Sequence, residues 1–142
     1  RAAGLPVDVV SCDFSSLRET DPGAQRIWHE FLDTTFQATS RPTSARWPRV
    51  DAFCRQGLAQ IEAWQAEKGE YRSVYSRAMW PAAHVLAARY KARYPGVRWI
   101  AEFSDPLIHN IHGEVRTSTG KVDPAVIGEL RAAVERAGFR PP

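Results

Sequence analysis

The sequence predicts an α/β domain, a Rossmann-like parallel sheet with helices on both faces, and three observations predict it. Short runs rich in β-branched and aromatic residues, at 5–10, 71–75 and 97–103, alternate with segments whose apolar residues recur at three-and-four spacing. Glycine, proline and Asp-Pro signals punctuate the joins. The intervals are long enough for helical crossovers, and crossovers join parallel strands that are covered on both sides. Residues 1–142 are read as one domain, since a chain of 142 residues suits a single core.

The elements follow in order. The run from Leu5 to Val10 is opened by Gly4 and closed by Ser11, Cys12 and Asp13, which suits a buried parallel strand. After the turn at Asp21, Pro22 and Gly23, the spacing of Ile27, Trp28, Phe31, Leu32, Thr35 and Phe36 predicts an amphipathic helix. Residues 39–48 read as a loop. A second helix carries Val50, Phe53, Cys54, Gly57, Leu58, Ile61 and Trp64 on one face and stops at Lys68 and the C-cap glycine Gly69. The strand 71–75 is followed by Pro81, which suits the first turn of a helix running to Tyr94. The strand 97–103 ends at Ser104, Asp105 and Pro106, and Asp123-Pro124 opens a last helix with Val126, Ile127, Leu130 and Val134.

Composition narrows the function classes. Lys and Arg number 19 against 16 Asp and Glu, a net +3, and the cations are scattered among acids, so nucleic acid is not the expected partner. Only Lys68, Lys91 and Lys121 are lysines; the other 16 are arginines, a skew that suits fork-shaped recognition of phosphate or carboxylate and equally reflects a GC-rich genome. Cys12 and Cys54 form no metal-binding or disulfide pattern, which favours a reducing compartment and a cytoplasmic location. No apolar run approaches the roughly 18 residues that a membrane span needs. The opening residues Arg1 to Gly4 read as the last turn of a helix begun upstream, so the chain is expected to have lost its native start.

In an open parallel sheet the ligand crevice lies beyond the carboxyl ends of the strands. The residues to weigh are therefore Ser11 and Asp13, Ser76 and Arg77, and Ser104 and Asp105. Arg77 precedes a helix N-terminus, where an anion is already favoured; it either holds a phosphate there or pairs with a nearby carboxylate. Asp105 either orients a substrate hydroxyl or caps its own Asp-Pro turn. Glu102 inside an apolar strand needs a partner if it is buried. His109 and His112 lack a third ligand at diagnostic spacing, so no metal is expected, and loop histidines contacting substrate or solvent are the better reading. His29 and His84 read as partly buried helix residues; Trp28, Trp64 and Trp99 read as core, and Trp47 and Trp80 as loop residues that either pack or line a sugar crevice. No G-x-G-x-x-G, P-loop, nucleophile elbow or H-E-x-x-H is present.

Two segments, YRSVYSRAMWPAAHVLA (71–87) and VRWIAEFSDPL (97–107), resemble the amino-terminal, acceptor-side domain of family 4-like GT-B glycosyltransferases. The resemblance covers roughly the second half of the chain and implies one half of a GT-B fold, without its donor-binding C-terminal domain. It implies transfer of a sugar from a nucleotide-sugar donor to a cell-surface glycan or lipid-linked acceptor, with retention and with no cofactor beyond the donor. Ser76 and Arg77 fall on its cleft-facing turn and Ser104 and Asp105 at its strand end near the reacting sugar or acceptor. Ser104 and Asp105 are therefore the expected catalytic residues, and Ser76 and Arg77, together with the loop histidine His109, the expected substrate-binding ones. Many members carry a histidine where this sequence has Ser104. A cytoplasmic site of action, with peripheral contact to the inner membrane, and little activity without the donor domain are further implications. The alternative from another class is a non-catalytic flavodoxin-like binding or regulatory module. A small hydrolase using Asp105 and a histidine is a third reading, for which no nucleophile motif is present.

Overall fold

The computed structural model describes residues 7–12, 21–23, 26, 31–40, 47–77, 81–102, 124, 128, 131–132, 135–136 and 138. Along the chain run β1 (Val7–Cys12), β2 (Leu32–Ala38), α1 (Trp47–Lys68), β3 (Ser73–Arg77), α2 (Ala82–Arg93) and β4 (Arg98–Glu102). The fold is mixed α/β. Among the described residues the expected single sheet is instead two parallel pairs, β1 with β2 and β3 with β4.

The largest departure from the sequence expectation is β2. The helix read through Phe36 gives way to a strand from Leu32 onward, while Pro22, Gly23 and Arg26 are helical. Asp21 starts that upstream turn, its Oδ1 accepting the Gly23 N–H at 2.8 Å. Leu32, Thr34, Phe36 and Ala38 point inward while Asp33, Thr35 and Gln37 are exposed, a period of two. The adjacent Thr34 and Thr35 are stiff at χ1 and suit a pleat, and pairing with β1 supplies a ladder that a lone helix could not.

The helices match expectation more closely. α1 begins at Trp47, inside the stretch expected to be a loop, and takes Pro48 into its first turn, where its missing N–H costs nothing. It stops where Gly69 adopts φ +92° and donates its N–H to Gln65 O at 2.9 Å. α2 starts from Pro81, whose carbonyl accepts the Val85 N–H at 3.0 Å. Beyond its end, Lys91 Nζ donates to the carbonyls of Pro95 at 2.5 Å and Val97 at 2.6 Å. Of the last predicted helix, Pro124, Gly128, Arg131, Ala132, Glu135 and Arg136 are described and all are helical.

One core joins the elements. Phe53, Cys54 and Leu58 of α1 meet Val85, Leu86 and Tyr90 of α2, and Val10, Phe36 and Val74 pack against them from the strands. Each fully buried side chain of this size is worth about 1.5–3 kcal/mol. Gly57 sets the spacing at the crossing: a Cβ there would lie 2.7 Å from Leu86 Cδ2 and 3.2 Å from Val10 Cγ1. Among the described residues, no helix is long and apolar enough to cross a membrane.

Candidate functional site

β3, α2 and β4 form a βαβ unit, and it fixes the geometry of the candidate rim. The two strands are parallel and in unbroken register from Ser73 opposite Arg98 to Arg77 opposite Glu102. Their carboxyl ends are therefore side by side, and α2 begins at that same end, since its start follows β3 and it returns antiparallel to the strands. Alternation along β3 turns Ser73, Tyr75 and Arg77 outward and Val74 and Ser76 inward.

On the outward face, Glu102 lies between two β3 side chains. Arg77 Nε is 3.2 Å from Glu102 Oε1, and Tyr75 donates its hydroxyl proton to Glu102 Oε2. Glu102 thus has partners, although it is not the buried carboxylate that would have required one. The pair is wet, Arg77 being 63% and Glu102 43% exposed, so its net worth is only about 0–1 kcal/mol. Next to it Tyr75, 57% exposed, stands opposite Ile100, also exposed.

On the inward face, Ser76 is only 4% exposed. Its Oγ lies 2.9 Å from His84 Nδ1 and accepts the Trp99 Nε1–H at 2.9 Å. His84 is buried in the first turn of α2, and burial holds its pKa below the usual imidazole value. The helix-interior reading of His84 agrees with this, but its connection to Ser76 was not anticipated. The signal available in the sequence was a serine in the inward register of a strand, eight residues before a histidine on the following helix.

Ser76 and Arg77 are thus adjacent in sequence and divided between the two faces of β3. Ser104, Asp105 and His109 lie outside the described residues, as do Asp13, His29, His112, Trp28 and Trp80. Ser11 lies in β1, partly buried. Trp64 is buried as expected, and Trp47 packs on the core with the Arg89 guanidinium 5.0 Å from its ring centre. Arg89 in turn pairs with Asp51 at 2.8 Å.

A second polar cluster, missed by the sequence reading, sits at the opposite, amino-terminal end of the strands. Between Val7–Leu32 and Val9–Thr35 the β1–β2 register slips by one, so Asp8 faces both Asp33 and Thr34. The Asp8 carboxylate compensates for the broken ladder by accepting the Thr34 N–H at 3.0 Å, together with the Thr34 and Tyr71 hydroxyls. Lys68 Nζ, at the end of α1, reaches Asp8 and Asp33 at 2.8 Å each. Asp8 is 5% exposed. Burial pushes its carboxyl pKa up, but the hydrogen bonds from Lys68, Thr34 and Tyr71 and the Lys68 charge outweigh burial and hold it below the usual value. Burial and Asp8 together push the Tyr71 phenol well up, so it stays protonated as a donor. The clue was an aspartate interrupting the run of valines in β1.

No family model matches the chain, and no curated protein or solved structure compared with it matches either.

Proposed function

We propose that this chain is the acceptor-side domain of a nucleotide-sugar-dependent glycosyltransferase acting on a cell-surface glycan or lipid-linked acceptor in the cytoplasm. The observation that carries the reading is the in-register β3–α2–β4 unit. It brings Arg77 beside the end of β4, and Ser104 and Asp105 follow β4 by two and three residues in the sequence. Carboxyl ends of adjacent parallel strands are where such folds collect ligands. The described residues of 71–87 and 97–107, the segments that resemble the family, lie in or next to this same unit.

In this reading the acceptor hydroxyl oxygen bonds to the anomeric carbon as the bond from that carbon to the nucleoside diphosphate breaks. The hydroxyl proton passes to the departing phosphate oxygen, which retains configuration when attack and departure share one face. Asp105 and Ser104 orient the acceptor, and Arg77 and His109 contact phosphate or acceptor groups. Exchanging Glu102 for a ligand anion costs Arg77 little, because the existing ion pair is exposed and weak. The reading requires a second α/β domain to hold the donor.

The test uses the protein expressed from its whole gene, incubated with a panel of nucleotide sugars and an envelope glycolipid extract. Release of a nucleoside diphosphate from one donor is expected, and Arg77→Ala and Asp105→Ala should each lower kcat/KM by roughly tenfold or more. No donor consumed, or unchanged kinetics in both variants, overturns the assignment.

The Arg77–Glu102 pair also favours a second reading, a flavodoxin-like binding module in which Arg77 is structural. Ligand binding without donor turnover, and unaffected by Arg77→Ala, would select it.

A further inference from the structure

We infer that His84 is a positioning residue: acting through the Ser76 hydroxyl, it locks the carboxyl ends of β3 and β4 together and so fixes the Arg77–Glu102 pair at the rim. Trp99 Nε1 can only donate, so Ser76 Oγ must accept from it at 2.9 Å. The serine hydroxyl proton is then directed to His84 Nδ1, also 2.9 Å away, with the neutral ring as acceptor. One buried hydroxyl thereby connects three elements: β3 through Ser76, β4 through Trp99 and α2 through His84.

Its position explains why the connection matters. Ser76 pairs with Ala101 in the register, one step before Arg77 pairs with Glu102, and beyond Glu102 the sequence leads to Ser104 and Asp105. The outward Arg77–Glu102 pair is too exposed to fix the strand ends itself. In the inward network Ser76 and His84 are buried and Trp99 is partly buried, a setting in which directional hydrogen bonds specify geometry rather than add bulk stability. An alanine at 76 would fill nearly the same space, so the hydroxyl contributes orientation. The role of this lock in sugar transfer rests on the function proposed above; the lock itself does not.

The test compares Ser76→Ala, His84→Ala and the conservative His84→Asn, whose amide oxygen can replace Nδ1 as acceptor. Backbone amide exchange is read along β3 and β4 by NMR, and kinetics are read in the whole-gene protein. The ladder amides within 76–77 and 101–102 should exchange roughly tenfold faster in Ser76→Ala and His84→Ala, those at 73–74 should not change, and His84→Asn should restore protection. In the same two variants kcat should fall at constant KM, with recovery in His84→Asn. Exchange that accelerates evenly along both strands, or nowhere, overturns the lock. Localised acceleration in a protein that transfers no sugar upholds the lock and removes the glycosyltransferase reading.

Discussion

Replacing Asp8 by alanine should cost the fold about 3 kcal/mol, far more than most single substitutions in a sheet. The figure follows from what the carboxylate satisfies. Removing it leaves the Thr34 N–H and the Tyr71 hydroxyl, both partly buried, without their acceptor. Each buried donor left unmet costs about 1–3 kcal/mol, and water reaching the strand ends puts each toward the lower half of that range. Lys68 retains Asp33 at 2.8 Å and the Thr34 hydroxyl at 3.0 Å, so its charge is not stranded. The assay is urea unfolding followed by circular dichroism, with the midpoint and slope of each variant compared. Asp8→Asn separates charge from hydrogen bonding, because it keeps one acceptor oxygen and removes the ionisation. The folded-state pKa of Asp8 lies below 3.8, so the ionised carboxylate contributes its full stability above about pH 3.8 and loses it as pH falls through the lower folded value. Wild type and Asp8→Asn should therefore differ most near neutrality and converge in acid. A loss below about 1 kcal/mol in Asp8→Ala, or a wild-type advantage over Asp8→Asn that does not shrink in acid, would refute the reasoning.

Further predictions concern packing, backbone and charge. Gly57→Ala should gain up to about 1 kcal/mol of helix propensity yet lose about 2 kcal/mol to overpacking against Leu86 and Val10, a net loss of about 1 kcal/mol. Adding Leu86→Ala should then cost less than the two singles sum to, readable in a double-mutant cycle. Gly69→Ala should lose about 1 kcal/mol in the same unfolding assay, since φ is +92° there and the site has free space around it. His84 has a folded pKa below 6.5, so the unfolded chain protonates first as pH falls through 6.5 and stability should decline below that pH; His84→Asn should lack this component in urea midpoints taken at pH 7.5 and 5.5. Arg77→Ala should change stability by less than about 1 kcal/mol, and a larger loss would mean that its pair with Glu102 holds the fold.

The local code was sufficient for the body of α1, its stop at Gly69, the start of α2 at Pro81 and the approximate place of β3 and β4, with β3 lying two residues later than its β-forming run, because apolar spacing and cap chemistry act within a few residues. It failed between Leu32 and Phe36. That stretch satisfies a helical face and a strand face at once, and only the ladder with β1 chose between them. The site was legible to a similar depth. The sequence indicated a strand leading to this rim but ended it at Tyr75, with Ser76 and Arg77 on the turn beyond, whereas both lie inside β3; it also indicated that Glu102, if buried, would need a partner. Only the tertiary structure made Arg77 and Tyr75 that partner, turned Ser76 inward to His84 and Trp99, and gathered Asp8, Asp33, Lys68 and Tyr71 at the far end of the strands. The reason is physical: residue type and spacing set what a short segment can form alone, whereas the register between strands and the packing of a helix across them decide which distant side chains meet.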